Sequence, residues 1–433
     1  MKDIYKTYDV RGIYPTDLDE SFAFEFGRAS AIFFKNKEVL IARDGRNSSE
    51  SLKQSLMSGL ATENSKIIDL GVISTPAAYF ALIKLKKPLI IITASHNPKE
   101  YNGFKLVDDN FQTVDKAHGL LEIKEIQENL QPKEAKKPEI KNYDIKSEYF
   151  AFLDNLVYRI DHKIPIVLDQ SNGSARLESV FLQSKFNNIK VINQEVDGNF
   201  PGHSPDPSSE KNREQLKQEM IKQKAKIGFI FDGDADRVMV LDDKLEFIRP
   251  EIIASILIDK GLALYDVRAS HYLKHKCAQK KINSKMIPTG RSIFAKKMKE
   301  LNADIGVEGS GHYFFKEFKG LDSAIITILK LLEKISDEKK PLSELVKDKI
   351  KFMHSNEINY EVKDATKTIQ ELKNNYKDKK ILELDGLTVE LDENSWFNIR
   401  KSNTEPVIRL NAETNSKEKT ASLVKELEKI IFS

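Results

Sequence analysis

Four short polar clusters, each beside an apolar run, hold the side chains of this chain best suited to chemistry. The first is Thr93-Ala94-Ser95-His96-Asn97-Pro98, which follows Leu89-Ile90-Ile91-Ile92. An aliphatic run that stops at turn formers fits a strand buried on both faces, so Ser95 is delivered to the loop beyond it. A serine there is a candidate nucleophile or phosphate carrier, or simply part of a turn in which Ser95 and Asn97 bond nearby backbone. The second cluster, Asp232-Gly233-Asp234-Ala235-Asp236-Arg237, follows Ile227-Gly228-Phe229-Ile230-Phe231. Three carboxylates at alternate positions repel one another unless a cation lies between them, and hard oxygen donors suit Mg²⁺. The small residues 233 and 235 let the backbone curl the carboxylates towards one point.

The third cluster, Gly306-Val307-Glu308-Gly309-Ser310-Gly311-His312, interleaves glycines with a carboxylate, a hydroxyl and an imidazole. Glu308 and Ser310 suit the vicinal hydroxyls of a sugar, whereas His312 by itself fits a structural role as well. The fourth, Arg400-Lys401-Ser402-Asn403-Thr404-Glu405-Pro406-Val407-Ile408-Arg409, is crowded with donors. A guanidinium grips phosphate oxygens through parallel bonds, and hydroxyl and amide groups fill the remaining acceptor sites. The same residues also fit a hairpin with surface ion pairs. For the acidic cluster, an EF-hand is excluded because Arg237 stands where its loop glycine belongs. An Asp-x-Asp metal loop of the glycosyltransferase kind leaves the third aspartate and Arg237 unaccounted for.

Positioning these clusters needs strands that end in loops. Apolar runs at 89–93, 164–169 and 227–231 alternate with segments of helical spacing at 48–60, 213–224 and 292–301, which predicts α/β domains. Ligands on such sheets gather beyond the strands' carboxyl ends. A Pro/Lys-rich stretch at 131–141 reads as a linker, with further boundaries near 242–250 and 351–361. The tail carries two strand runs, 396–400 and 407–410, and a helix at 417–431, so it reads as a small α+β unit. No repeat is visible in residue identities.

At 433 residues the chain is long enough for three or four domains. Sixty-nine Lys plus Arg against sixty-six Asp plus Glu give no general argument for nucleic acid or membrane binding. The single Cys277 excludes an intramolecular disulfide framework and a Cys-rich zinc site, which suits a reducing cytoplasm. No apolar signal region opens the chain, and no apolar stretch reaches the roughly 18 residues of a membrane span.

Taken in order, the four clusters resemble the α-D-phosphohexomutase superfamily along nearly the whole chain. Tyr8-Asp9-Val10-Arg11-Gly12, Tyr101-Asn102-Gly103-Phe104-Lys105, Asp197-Gly198-Asn199-Phe200-Pro201 and Pro205-Asp206-Pro207 are similar to its phosphomannomutase/phosphoglucomutase branch. The phosphoglucosamine mutase branch, the nearest competitor, usually has Ile at Phe104 and Gln at Gly309. Val307 replaces the usual Gly, Thr289-Gly290-Arg291 replaces Thr-Gly-His, and Arg268 stands where Lys is common.

The resemblance implies an α/β fold of four domains: three α/β domains with mixed sheets and a smaller α+β C-terminal domain. The expected domains are 1–140 with the phosphoserine loop, 141–244 with the metal loop, 245–352 with the sugar loop and 353–433 with the phosphate loop. It implies that Ser95 carries a phosphoryl group and exchanges it with a hexose monophosphate through a hexose 1,6-bisphosphate. Ser95, Asp232, Asp234 and Asp236 would hold Mg²⁺. Arg11, Lys105 and Arg237 would surround the reacting phosphate, His96 would orient the serine loop, and Lys105 or His312 would move the sugar proton. Glu308 and Ser310 would grip the sugar, and Tyr8, Arg268 and Arg291 would line the rim. Arg400, Ser402, Asn403, Thr404 and Arg409 would hold the second phosphate, with hinge motion near 350–365. The implied partners are phosphorylated hexoses, not nucleic acid or membrane, for a cytoplasmic monomer or homodimer. A metal-dependent sugar phosphatase and a non-catalytic sugar-phosphate sensor are the rival readings.

Overall fold

The computed structural model describes residues 4–157, 159–402 and 407–432. Apolar runs form the strands, and each central strand is buried along its whole length, as in Leu89–Ile92, Ile166–Asp169 and Ile227–Phe231. Strands buried on both faces need cover on both sides, which the intervening helices supply. One such helix, Thr75–Leu85, starts where the Ser74 hydroxyl accepts the Ala77 N–H and stops at Lys86, whose backbone is left-handed.

Three mixed sheets follow one another, and they share a topology that the residue identities conceal. In the second sheet the spatial order is Ile189–Ile192, Ile166–Asp169, Ile227–Phe231, Val238–Leu241, Phe247–Ile248. In the third it is Asn283–Ile287, Leu262–Asp266, Ile305–Val307, Tyr313–Phe315, Leu321–Asp322. In both, numbered from the first strand, the order is 2-1-3-4-5, with the first three strands parallel, the fourth antiparallel to the third and the fifth antiparallel to the fourth. The first sheet contains the same arrangement in Ile67–Val72, Val39–Arg43, Leu89–Ile92, Tyr101–Val107 and Thr113–Val114. It adds Val10–Ile13 at one side and Ile140–Asn142 at the other. The segment read as a linker therefore ends as an edge strand.

The serine, acidic and sugar loops accordingly occupy one topological position, between the third and fourth strands of their sheets. Each leaves the carboxyl end of the last parallel strand, where α/β sheets bind ligands. Apolar packing is continuous across the three sheets, joining Leu40 and Leu89 to Phe231, Ala263 and Leu332.

The tail differs. Among the described residues its six strands are all antiparallel and include Met353–His354, Ile358–Glu361, Lys380–Leu382 and Leu387–Asp392 beside the two expected ones. Lys417–Ile431 buries Thr420, Leu423, Leu427 and Ile431, the three-to-four spacing of one helix face. Its apolar cluster is separate from that of the first three sheets. Glu413 accepts the His271 backbone N–H and the Trp396 indole N–H, both at 2.9 Å, and Trp396 stacks on His271 at 5.1 Å. These polar and ring contacts dock the tail.

Candidate active site

Ser95 is held in a left-handed conformation at φ 51°, with its N–H donated to Thr93 Oγ1 at 2.9 Å. Its hydroxyl donates to Asp232 Oδ2 at 2.7 Å, and His96 Nδ1 lies 3.4 Å away. The serine and acidic loops meet through Gly233, where a Cβ would come within 2.6 Å of the Ser95 carbonyl oxygen. Close approach, and not only chain curvature, requires glycine there. Ala235 supplies the curvature, with φ 58°.

Asp232, Asp234 and Asp236 are wholly buried, with one oxygen from each within 4.8 Å of the others. Oδ1 of Asp234 has no hydrogen-bond partner, which costs free energy unless a cation satisfies it, and Oδ1 of Asp236 has His312 Nε2 at 3.3 Å. The donor set fits a hard dication. Lys105 Nζ is 2.6 Å from Asp234 Oδ2 and from Asp236 Oδ2, so the lysine lies against the carboxylates. The Thr75 hydroxyl donates to the same Asp234 oxygen at 2.7 Å. Burial, together with Asp236 and Asp234, pushes the Asp232 carboxyl well above its ordinary range. Burial also raises Asp236, but Lys105 and His312 outweigh it and hold that carboxyl well below its usual range.

The acidic and sugar loops are joined by backbone: Arg237 and His312 form an antiparallel bridge, and Val238 N–H donates to Gly311 at 3.1 Å. Glu308 accepts the Gly290 N–H at 2.8 Å and lies 3.0 Å from both Ser310 Oγ and His312 Nδ1. Burial lowers the His312 pKa, but Asp236 and Glu308 overcome this and raise it to about 9. His96 differs: burial and the positive Arg237 push its pKa well below 6.5. His96 is therefore neutral at neutral pH.

A cavity of about 1010 Å³ opens onto these loops. Its wall includes Ser95, His96, Lys105, Arg11 and Arg237, together with Tyr8, Arg268, Arg291, Glu308, Ser310 and His312. The three aspartates lie behind this wall. Arg11 donates to Ala94 at 3.1 Å and to the Asn97 side chain at 2.6 Å. Arg291 bonds the Tyr79 hydroxyl, and Tyr8 donates to Thr289 at 2.9 Å. Arg268 pairs with Asp266, which also accepts the Gly309 N–H at 2.9 Å. Phe104, the neighbour of Lys105, is not on the cavity wall but buried and stacked on Phe26 at 4.9 Å.

Arg409 reaches the cavity from the tail. The sequence did not single out Glu357, which accepts from Arg400 at 2.9 Å and Arg409 at 3.2 Å. Its signal was only a lone acid beside the arginine-bearing strands. Ser402 N–H donates to Val407 at 2.9 Å, while Asn403 and Thr404 lie outside the described residues. Another cavity, about 530 Å³, lies wholly on the tail and meets none of the first three loops.

Four family descriptions match the chain in sequence order. They are the phosphoglucomutase/phosphomannomutase alpha/beta/alpha domains I, II and III, at residues 2–134, 147–245 and 252–352, and the C-terminal domain, at 357–430. The chain belongs to the phosphoglucomutase/phosphomannomutase family. Its similarity to a phosphomannomutase of Methanocaldococcus jannaschii is 34% identity, covering 99% of this chain and 97% of that protein. With a phosphomannomutase/phosphoglucomutase of Pseudomonas syringae it shares 31% identity, covering 95% and 92%. A family crystal structure from Burkholderia thailandensis superposes with a TM-score of 0.89 at 27% identity, covering 99% of this chain and 96% of that one. The three-sheet-plus-tail design is thus the phosphohexomutase architecture. No helix among the described residues is long and apolar enough to cross a membrane.

Proposed function

We propose that this isomerase, an intramolecular phosphotransferase by family, interconverts hexose 1-phosphates and hexose 6-phosphates of the mannose and glucose series. The observation that carries the reading is the Ser95 hydroxyl, 2.7 Å from Asp232, on the wall of a cavity that the sugar loop and the tail arginine also line. A phosphatase needs no second phosphate clamp, and a sensor needs no serine against three aspartates.

Phosphorylated Ser95 gives its phosphoryl group to the free hydroxyl of a hexose monophosphate, forming a 1,6-bisphosphate. The sugar then turns and returns its other phosphate to Ser95. Asp232, Asp234, Asp236 and Ser95 are the residues to hold Mg²⁺, which when bound draws charge from the transferring group. Arg11 and Arg237 supply fixed positive charge beside Ser95, with Lys105 behind it, since phosphoryl transfer depends chiefly on position and charge. Glu308 and Ser310 accept and donate to vicinal hydroxyls that gluco- and manno-sugars share. Neutral His96 orients the serine loop, while Lys105 and His312 are candidates to handle the sugar proton. Arg400, Ser402, Asn403, Thr404 and Arg409 hold the phosphate not being transferred. Tyr8, Arg268 and Arg291 border the sugar.

Turnover of mannose 1-phosphate, glucose 1-phosphate and glucosamine 1-phosphate, with Mg²⁺ and a trace of bisphosphate, tests the reading. Conversion of the first two is expected, and equal failure on all three would refute it. Inorganic phosphate as the main product would favour a phosphatase, and binding without turnover a sensor. A cytoplasmic monomer or homodimer, working without nucleic acid or membrane, is the accompanying expectation, for which light scattering gives the mass.

A further inference from the structure

Arg46 takes no part in the chemistry just described, yet it is 1% exposed and all its donors face the serine loop or its own strand end. Nη2 donates to the carbonyls of Ser95 at 2.8 Å and Asn97 at 2.7 Å. Nη1 donates to those of Pro98 at 2.7 Å and Tyr101 at 3.0 Å. Nε donates to Asp44 at 3.1 Å, and Asp44 in turn accepts from Arg46 N–H and the Ser49 hydroxyl. All five N–H groups of the guanidinium are therefore spent, four of them on carbonyls within seven residues of chain.

A loop normally leaves such carbonyls to water. Here the carbonyl of Ser95 is turned inward, facing Gly233, by a left-handed backbone that a residue with a Cβ adopts at a cost. Arg46 offsets that cost with charge-assisted bonds, and its planar fork spans acceptors that a single ammonium cannot reach together. The ring of Phe200, from the second sheet's domain, lies 5.1 Å from the guanidinium carbon and covers it.

We propose that Arg46 is the positioning residue for Ser95: it fixes the serine loop in its left-handed turn so that the hydroxyl faces Asp232, and Phe200 seals it when the second domain docks. This rests on Ser95 being the phosphoryl carrier. Arg46 does not line the cavity and meets Ser95 only at its backbone carbonyl, not at the hydroxyl, so its loss should lower kcat and leave KM nearly unchanged, unlike loss of a residue that grips the sugar.

The test measures kcat and KM for glucose 1-phosphate or mannose 1-phosphate, whichever the wild type turns over, with melting temperatures recorded alongside. Arg46→Lys is expected to lose on the order of 100-fold in kcat with KM within about threefold, because lysine cannot serve four carbonyls. Phe200→Leu, which leaves every one of those bonds in place, is expected to lose about two- to fivefold in kcat. In Arg46→Ala, guanidinium ion added at millimolar levels should recover part of the lost kcat. Arg46→Lys keeping more than a third of wild-type kcat would overturn the inference, as would equal changes in kcat and KM. Should Arg46→Lys not fold, Phe200→Leu decides: unchanged kcat overturns the inference, and lowered kcat with unchanged KM supports it. No turnover by the wild type, or full turnover by Ser95→Ala, would instead sink the mutase reading itself.

Discussion

The serine loop and the tail clamp both belong to the proposed phosphate chemistry, but they are held in opposite ways. Ser95 is buried beyond a strand that joins the continuous apolar packing, and Thr93, Asp232 and Arg46 fix it from several directions. The arginines of the tail converge on one carboxylate, Glu357, in a domain with its own core and a polar seam to the rest. Two-state elements with few shared apolar contacts are the ones that move at low cost. Precision at the transferring end and motion at the holding end is what the proposed reaction, with a sugar that turns between two half-reactions, would require.

The largest expected effect is at Ser95. Ser95→Ala should lower turnover by at least about 10³-fold while calorimetric binding of a hexose phosphate stays within a few fold. Retained turnover would remove the serine loop from the chemistry. Next, chelation of divalent metal should abolish activity, and Asp234→Asn should lower kcat on the order of 100-fold with a higher Mg²⁺ requirement. An unchanged Mg²⁺ titration would move the metal elsewhere. At the tail, Arg400→Ala should act on affinity more than rate, raising KM about 10- to 100-fold, the range of a lost charge-assisted bond to phosphate. A fall in kcat alone would mean that the clamp is as much part of the transferring machinery as the serine loop.

The smallest expected effect is on the seam. Burial, with Lys274 and Lys380 adding repulsion against the attraction of Glu390, lowers the His271 pKa from 6.5 to about 4. Because the folded value lies below the unfolded one, neutral His271 stabilises the native state above about pH 6.5, and that contribution fades as pH falls towards 4. His271→Phe keeps a ring on Trp396 without the titration. Its melting temperature should therefore decline less than that of wild type between pH 7 and 5, and parallel curves would acquit His271.

The acidic, sugar and serine loops were legible because each sets several functional side chains within six or seven consecutive residues beside an apolar strand. Ile227–Phe231 and Lys417–Ile431 carry period and boundaries plainly enough to match the observed elements. What stayed hidden acts across the chain. Arg46 reaches loop carbonyls about fifty residues away, Thr75 meets Asp234, and Glu357 gathers two distant arginines. No local pattern marks such residues, since a lone Arg or Glu on a polar stretch reads as solvated surface. The tail's extra strands escaped for another reason: Lys380–Leu382 and Ile358–Glu361 are too short to show a period, although Leu387, Thr388, Val389 and Glu390 alternate as strands do. The shared 2-1-3-4-5 order escaped because topology is a property of pairing and leaves no trace in residue identity. Phe104 shows the converse limit: it distinguishes branches on paper but lies in the core, so Gly309, beside Asp266 and Arg268, is the better place to look for sugar preference.

Trp396, the one tryptophan of the chain, sits on the seam itself, stacked on His271 and bonded to Glu413. Its emission should therefore report the tail's attitude without any label: a hexose phosphate that draws the clamp inward will change the indole's quenching by His271 and the carboxylate. Stopped-flow traces at a single wavelength can then time the closing and opening of the tail against catalytic turnover, in the unmodified protein.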